Sequence, residues 1–445
     1  MNSVTENING AAIPLKERLL ADFQAWESHL NSATSPLHLV RREAIRQFDR
    51  LGFPTTKHEE WKYSNVSPIT KQAFDFQATT QIPAADLAHA LVPNLDANVV
   101  VFINGIYQES LSHFISPKEQ VRVENFADAY QHEPETFEQH FAQSANYEKD
   151  AFTALSTAFA QNGVFLRVPD GTIVEKPVVI YFFSDARTAN VASQPRNLYV
   201  VGKNSQVKIV EVFQTLGEKA SFTNSVSEVS LAPEAYVEYY KVQNESDQAS
   251  HIGTTQVNQQ GKSHFFAGTA TINGGFVRNN MNIVLDGEYC ETNLYGLYIP
   301  DAKQHVDNHT VVDHAKPNSY SNELYKGIMK GRSTGVFNGK IFVRPDAQKT
   351  NAFQSNRNII LSNDASMNTK PQLEIFADDV KCSHGTTTGQ IDEDALFYLR
   401  ARGIGEDNAK ALLMVAFAGD IVNQIRIPAL QHYLENLIAE KLGKR

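Results

Sequence analysis

The apolar positions divide the chain into three parts. Leu15, Leu19, Phe23, Trp26 and Leu30 recur at helical spacing and make one apolar face. Val40, Ala44, Phe48 and Leu51 do the same, and Gly52 followed by Pro54 predicts where that helix stops. Residues 99–103, then Asn104-Gly105, then Ile106-Tyr107 predict a hairpin. Phe152, Leu155 and Phe159 predict one more helix, closed by Asn162-Gly163.

From Val164 the pattern changes to short β-rich runs, at 164–168, 177–183, 198–201, 206–213, 236–243, 264–272, 281–285, 294–299, 337–343, 358–361 and 372–376. Met281, Ile283 and Leu285 alternate with Asn280 and Asn282, a period of two, and Asp286-Gly287 and Asn338-Gly339 punctuate the runs. No long helical pattern intervenes before Asp392, so this section is one large β structure: a solenoid, a sandwich or a barrel. No strict repeat length is present, so periodicity alone does not choose among them. Beyond Asp392, Ala395, Leu396 and Leu399 share a helical face that ends at Arg400, Arg402 and Gly403. A second helix runs from Asp407 to about Asn423 around Ala411, Leu412, Val415 and Ala416. Pro428 opens a third, carrying Leu430, Tyr433, Leu434 and Leu437. The predicted order is a mainly helical part over 1–162, a β core over 163–390 and a helical part over 391–445.

Composition narrows the function classes. The chain has 445 residues, room for about two or three domains, and a net charge of −10, unfavourable for wrapping nucleic acid or adhering to anionic lipid. Its longest apolar run, 411–418, is far short of a membrane span, and the N-terminal residues do not have the pattern of a signal peptide. Cys290 and Cys382 are the only cysteines, too few for a disulfide framework or a site of three or four thiolates from one chain. A soluble cytoplasmic protein is expected.

Several chemistries can be set aside. Gly261-Lys262-Ser263 has the end of a phosphate-binding loop, but residue 256 is Gln where the motif needs Gly. There is no G-x-S-x-G and no H-E-x-x-H. His305, His309 and His314 are three histidines in ten residues, but on a strand His314 faces away from the other two, which favours structural or interface roles over a metal site. Cys382 and His384 point the same way on an extended segment, and thiolate with imidazole suits iron, zinc or an iron–sulfur cluster. Two ligands are only about half of what such metals take, so a site here needs completion from another chain or from water. The spacing by itself favours a buried small residue beside a hydrogen-bonded histidine over a ligand pair; a nucleophilic Cys–His pair lacks an orienting acid. The segment Glu59-Glu60-Trp61-Lys62-Tyr63 is either a contact surface or a wedge docking the N-terminal helices on the β body.

The stretches DNHTVVDHAKPNSYSNELYKG (307–327), GVFNGKIFVRPDAQKTNAFQSNRNIILS (335–362) and KPQLEIFADDVKCSHGTTTGQIDEDALFYLRARGI (370–404) resemble the SufB/SufD family of the Suf iron–sulfur cluster assembly machinery. EEWKYSNVSPI (59–69) and GVFLRVPDGTIVEKPVVIYF (163–182) match family landmarks as well. Within the family the chain resembles the SufD type: Cys382-Ser383-His384 stands where SufB-like chains usually have C-E-H, and Cys290 is the sole further cysteine. Thr386 stands where Ala is frequent.

The resemblance implies a right-handed parallel β-helix core flanked by N- and C-terminal helical domains. It implies a non-catalytic scaffold that pairs with SufB through the β-helix end and docks a SufC ATPase on its C-terminal helices, where Phe397, Tyr398 and Arg402 are contact candidates. It also implies that His384, with Cys382 as a weaker candidate, serves a transient Fe–S cluster shared with SufB and not held by the isolated chain. Competing expectations are a homodimeric scaffold of the same family, a β-helix enzyme acting on polysaccharides, and a mononuclear metal enzyme using His305, His309 and His314.

Overall fold

A computed structural model describes residues 14–29, 35–76, 78 and 82–443; Leu30 of the first predicted helical face lies outside the described residues. The centre of the chain is a parallel β-solenoid of about 8 turns, and 40% of the structure is strand. One sheet runs, in spatial order, β2 (Ile106–Tyr107), β1 (Asn98–Ile103), β5 (Val178–Asp185), β8 (Gln206–Leu216), β10 (Tyr236–Asn244), β12 (His264–Asn273), β14 (Glu291–Tyr298), β16 (Tyr320–Met329), β18 (Asn351–Ile360) and β20 (Lys381–Gly389). The other runs β19 (Ser366–Ile375), β17 (Thr334–Val343), β15 (His305–His314), β13 (Phe276–Leu285), β11 (Ala249–Gln259), β9 (Ser221–Leu231), β7 (Arg196–Val201), β4 (Val164–Val168) and β3 (Arg122–Asn125), with β6 (Val191–Ser193) also beside β9. Each coil therefore gives one strand to each sheet. Three strands from before residue 163 join them, β1 beside β5 with β2 beside β1, and β3 beside β4.

The coils differ in length. Successive register partners are Gln206, Tyr236, His264, Glu291, Tyr320, Asn351 and Lys381, so a coil takes from 27 residues (264 to 291) to 31 (320 to 351). Corners of different size absorb the variation while the strands stay in register, which is why no fixed repeat shows in the sequence.

The inward faces pack into one apolar cluster that includes Val237, Tyr239, Phe265, Met281, Leu294, Tyr298, Val312, Tyr325 and Phe337. Polar inward side chains are hydrogen-bonded inside it. Glu211 accepts from the Tyr199 hydroxyl at 2.8 Å, the Tyr239 hydroxyl at 2.7 Å and the Ser227 hydroxyl at 2.8 Å. His314 faces inward and bonds Ser321 at 2.9 Å.

Helices cover the outer faces. In the N-terminal part, α1 (Leu15–Glu27), α2 (Pro36–Leu51), α3 (Ser67–Thr70), α4 (Ala84–Leu87), α5 (Phe126–His132), α6 (Pro134–His140) and α7 (Ala151–Ala158) precede the main run of coils. Leu15, Leu19, Phe23, Ala44 and Phe48 pack with Leu155 of α7, as their spacing predicts. Arg196 of β7 and Glu228 of β9 form a fully buried ion pair within the solenoid, and both also reach the N-terminal part, Arg196 by donating to the Thr157 hydroxyl. Glu228 also accepts hydrogen bonds from the backbone N–H of Ala142, Ser144 and Ala145 and from the Ser144 hydroxyl.

In the C-terminal part, α8 (Glu393–Ala401) is followed by α9 (Glu406–Val422) and α10 (Pro428–Lys441). Met414, Ala418, Ile421, Leu430 and Leu434 pack on Tyr240, Phe266, Ala270 and Leu297 of the first sheet. Lys326 of β16 donates to the Phe417 carbonyl at 2.9 Å and to Asp420, fixing α9.

Candidate functional site

The solenoid is open at its C-terminal end. β20 pairs only with β18 and β19 only with β17, so their outer edges carry no strand among the described residues. The corner before β20 is pinned where the Lys349 N–H donates to the Asp379 carbonyl and the Asp379 N–H donates to the Gln348 side chain. The chain leaves β20 at Gly389 and enters α8, whose N-cap Asp392 accepts from the Asp394 and Ala395 N–H groups, both at 3.0 Å.

Cys382 and His384 sit on β20 in register with Ala352 and Gln354 of β18. They share the strand's inward face, as a period of two requires, but no further coil among the described residues covers them. His384 is exposed. Cys382 is half-buried beside a small apolar cluster of Ile341, Val343, Ala347, Ala352 and Ala377. That burial pushes its thiol up, against the Ala352 backbone hydrogen bond, so at neutral pH the lone chain presents thiol rather than thiolate. Cys290 is buried, with Sγ 3.3 Å from the carbonyls of Gln260 and Gly287.

Beneath these two residues lies a polar interior. The Asn356 amide donates to the Tyr298 hydroxyl at 3.2 Å, and that hydroxyl donates to Asn358 Oδ1 at 2.6 Å. Asn358 donates to Asn356 Oδ1 at 2.7 Å and to the Thr387 carbonyl of β20 at 3.3 Å, which helps hold the last strand on. One column along, Gln354 Nε2 donates to Glu323 Oε2 at 2.6 Å. Burial pushes the Glu323 carboxyl up to about 7, with Thr310 and Gln354 offsetting part of the effect.

The three clustered histidines do not converge. His305 and His309 lie on the outer face of β15, and His314 lies inside. Ser64 Oγ is 2.8 Å from His305 Nε2 and donates to Asp307 Oδ2 at 2.5 Å. His309 Nε2 is 3.0 Å from Asp307 Oδ1. Burial works against the Asp307 charge, but His309 and Arg278 beside it hold the carboxyl well below the usual range. Arg278 lies 3.9 Å over the Trp61 ring and donates to the Glu60 carbonyl at 2.7 Å and to Asp307 at 2.9 Å. The segment 59–63 is thus a wedge docking the N-terminal part on the solenoid. Among the described residues no group of three or more His, Cys, Asp or Glu side chains is placed to hold a metal ion.

On α8, Phe397 is 73% and Tyr398 57% exposed, and the Arg402 guanidinium stacks 5.0 Å over the Tyr398 ring. Leu396 is the buried residue of this helix, which packs on α9.

Two sequence profiles match the chain: the SufBD protein N-terminal region over residues 15–180, and the SufBD core domain of SUF system FeS cluster assembly over residues 182–417. The chain belongs to the SufBD family. It is 31% identical over 426 residues to an iron–sulfur cluster assembly SufBD family protein of Synechocystis, with 93% of each chain covered. It is 28% identical to the iron–sulfur cluster assembly protein SufD of Escherichia coli over 422 residues, covering 94% of this chain and 96% of that one. It is 26% identical to SufD of Bacillus subtilis over 445 residues, covering 97% and 99%. By homology it is a SufD-like SufBD protein of iron–sulfur cluster assembly.

Cys382, His384, Phe397, Tyr398 and Arg402 all fall within the matched SufBD core. Glu323 and Gln354 were not singled out by sequence reasoning. The available signal was parity: both occupy inward positions, where a carboxyl and an amide are costly unless they bond each other.

Proposed function

We propose that the chain is the SufD-type scaffold subunit of a Suf assembly complex, pairing with SufB at the open end of its solenoid and docking the SufC ATPase on its C-terminal helices. The observation that carries this reading is Cys382 and His384 on the inward face of a terminal strand with no coil above them among the described residues. Two such ligands are about half a coordination sphere for iron in a thiolate and imidazole setting. The cluster is product and cargo, completed by groups of the partner and held loosely enough to pass on. The bare edges of β19 and β20 offer N–H and C=O groups for pairing with another chain.

The large exposed side chains Phe397 and Tyr398 support α8 as the ATPase contact. α8 begins at Glu393, shortly after β20 ends at Gly389, so a pull on the helix is transmitted to the strand that carries the ligands. In this reading the subunit is a non-catalytic cytoplasmic protein; no helix among the described residues is long and apolar enough to cross a membrane. The test is His384→Ala in the complex reconstituted anaerobically with SufB and SufC. Cluster build-up falls if the reading is right, and undiminished assembly removes His384 from the mechanism.

A further inference from the structure

We propose that the exposed ring of His384, which makes no hydrogen bond as it stands in this structure, turns inward to donate one ring N–H to the free Oε1 of Gln354, itself anchored by Glu323, and is so held as one tautomer with its lone pair on the outward nitrogen. Glu323, Gln354 and His384 are register partners on the adjacent strands β16, β18 and β20. All three occupy inward faces, and neighbouring strands are about 4.8 Å apart, so the side chains form one file from the interior to the open end. Glu323 and Gln354 are each 3% exposed.

The amide of Gln354 is oriented by chemistry. Its Nε2 donates to Glu323 Oε2, and an ionised carboxylate can only accept, so the amide oxygen is left for another partner. Among the described residues Gln354 Oε1 has no donor. A buried carbonyl without a donor is costly, and the adjoining position in the ladder carries an imidazole with an N–H to give. Room for this orientation comes from Gly339 of β17, since a methyl group there would run into the Gln354 amide.

The consequence is that of an outer-sphere partner to a ligating histidine: it selects the ring nitrogen that holds the proton and aims the other as a donor. Gln354 and Glu323 are therefore positioning residues. Their purpose rests on His384 being an iron ligand, as proposed above; the tautomer itself does not.

The experiment is NMR of the isolated full-length chain, labelled with ¹⁵N-histidine, at pH 8, where Glu323 is ionised. The His384 signals are assigned by their loss in His384→Ala. The expected result is a single tautomer with a ring N–H slow enough in solvent exchange to be observed. In Gln354→Leu the signals move to the mixed tautomers of free imidazole, while those of buried His251 and His314 stay in place and report an intact fold. Mixed tautomers in the parent chain overturn the proposal, and that measurement needs no variant to fold. An unchanged His384 in Gln354→Leu overturns it equally. In the SufB complex Gln354→Leu lowers iron affinity about 10-fold or more. A locked tautomer with no SufB pairing would sink the scaffold reading and leave this one standing.

Discussion

The buried carboxyl of Glu323 gives the fold a pH dependence that one substitution removes. Its folded-state pKa of about 7 lies above the ordinary value of 4.5, because burial disfavours the charged form. The folded state therefore holds this proton more tightly than the unfolded chain does. The associated stability is fully present below pH 4.5, falls as pH rises and is lost above about pH 7. At about 1.4 kcal/mol per pH unit, the displacement corresponds to about 3 kcal/mol. Glu323→Gln keeps the shape and a hydrogen-bonding partner for Gln354 but cannot ionise. Urea unfolding of parent and variant at intervals from pH 4.5 to 8 is the assay. The variant gains on the parent as pH rises, by about 3 kcal/mol over the window. Contributions from other groups, such as His314, pushed down to about 4 by burial, cancel in the difference. Parallel profiles would refute the reasoning, because they would mean Glu323 titrates alike in both states.

Three further outcomes are expected. Glu228→Ala leaves Arg196 buried without its partner and frees the 142–145 loop, lowering stability by about 3–5 kcal/mol in chemical denaturation. Phe397→Ala with Tyr398→Ala changes stability by no more than about 0.5 kcal/mol per site, since both side chains are exposed, yet abolishes retention of SufC in a pull-down. Native alkylation at pH 7, followed by mass spectrometry, finds Cys382 modified slowly and Cys290 not until the chain is unfolded, since burial raises both thiols and Cys290 is the more enclosed.

Helices α1, α2, α7, α8, α9 and α10 were legible because each buries an apolar stripe, whereas α3 to α6, of 4 to 7 residues, are too short to show one and were not. The β1–β2 turn was legible because Asn104 and Gly105 accept the positive φ of 51° and 78° that the hairpin demands. Strands with apolar inward faces were legible too. The short β3 and β6 and most of β18 were not, nor were β9, β11, β15, β16 and β20, these five for one reason. Their inward positions include Thr223, Ser225, Ser227, His251, Thr255, Asn308, Thr310, Ser321, Glu323, His384 and Thr386, so the alternation of apolar and polar residues that marks a strand is missing. The same polar interior hid Glu323 and Gln354, which in the bare sequence look like surface residues. Cys382 and His384 were visible as a pair through the period of two; their place at an open end was not, because uneven coils erase the repeat that would have located the last one.

Anaerobic reconstitution with iron and sulfide, run on the isolated subunit and on its mixture with SufB and SufC, tests most directly whether this chain owns only part of a coordination sphere. The expected result is a cluster in the mixture that depends on His384, and substoichiometric iron on the lone chain. A stable, fully occupied cluster on the lone chain would contradict it.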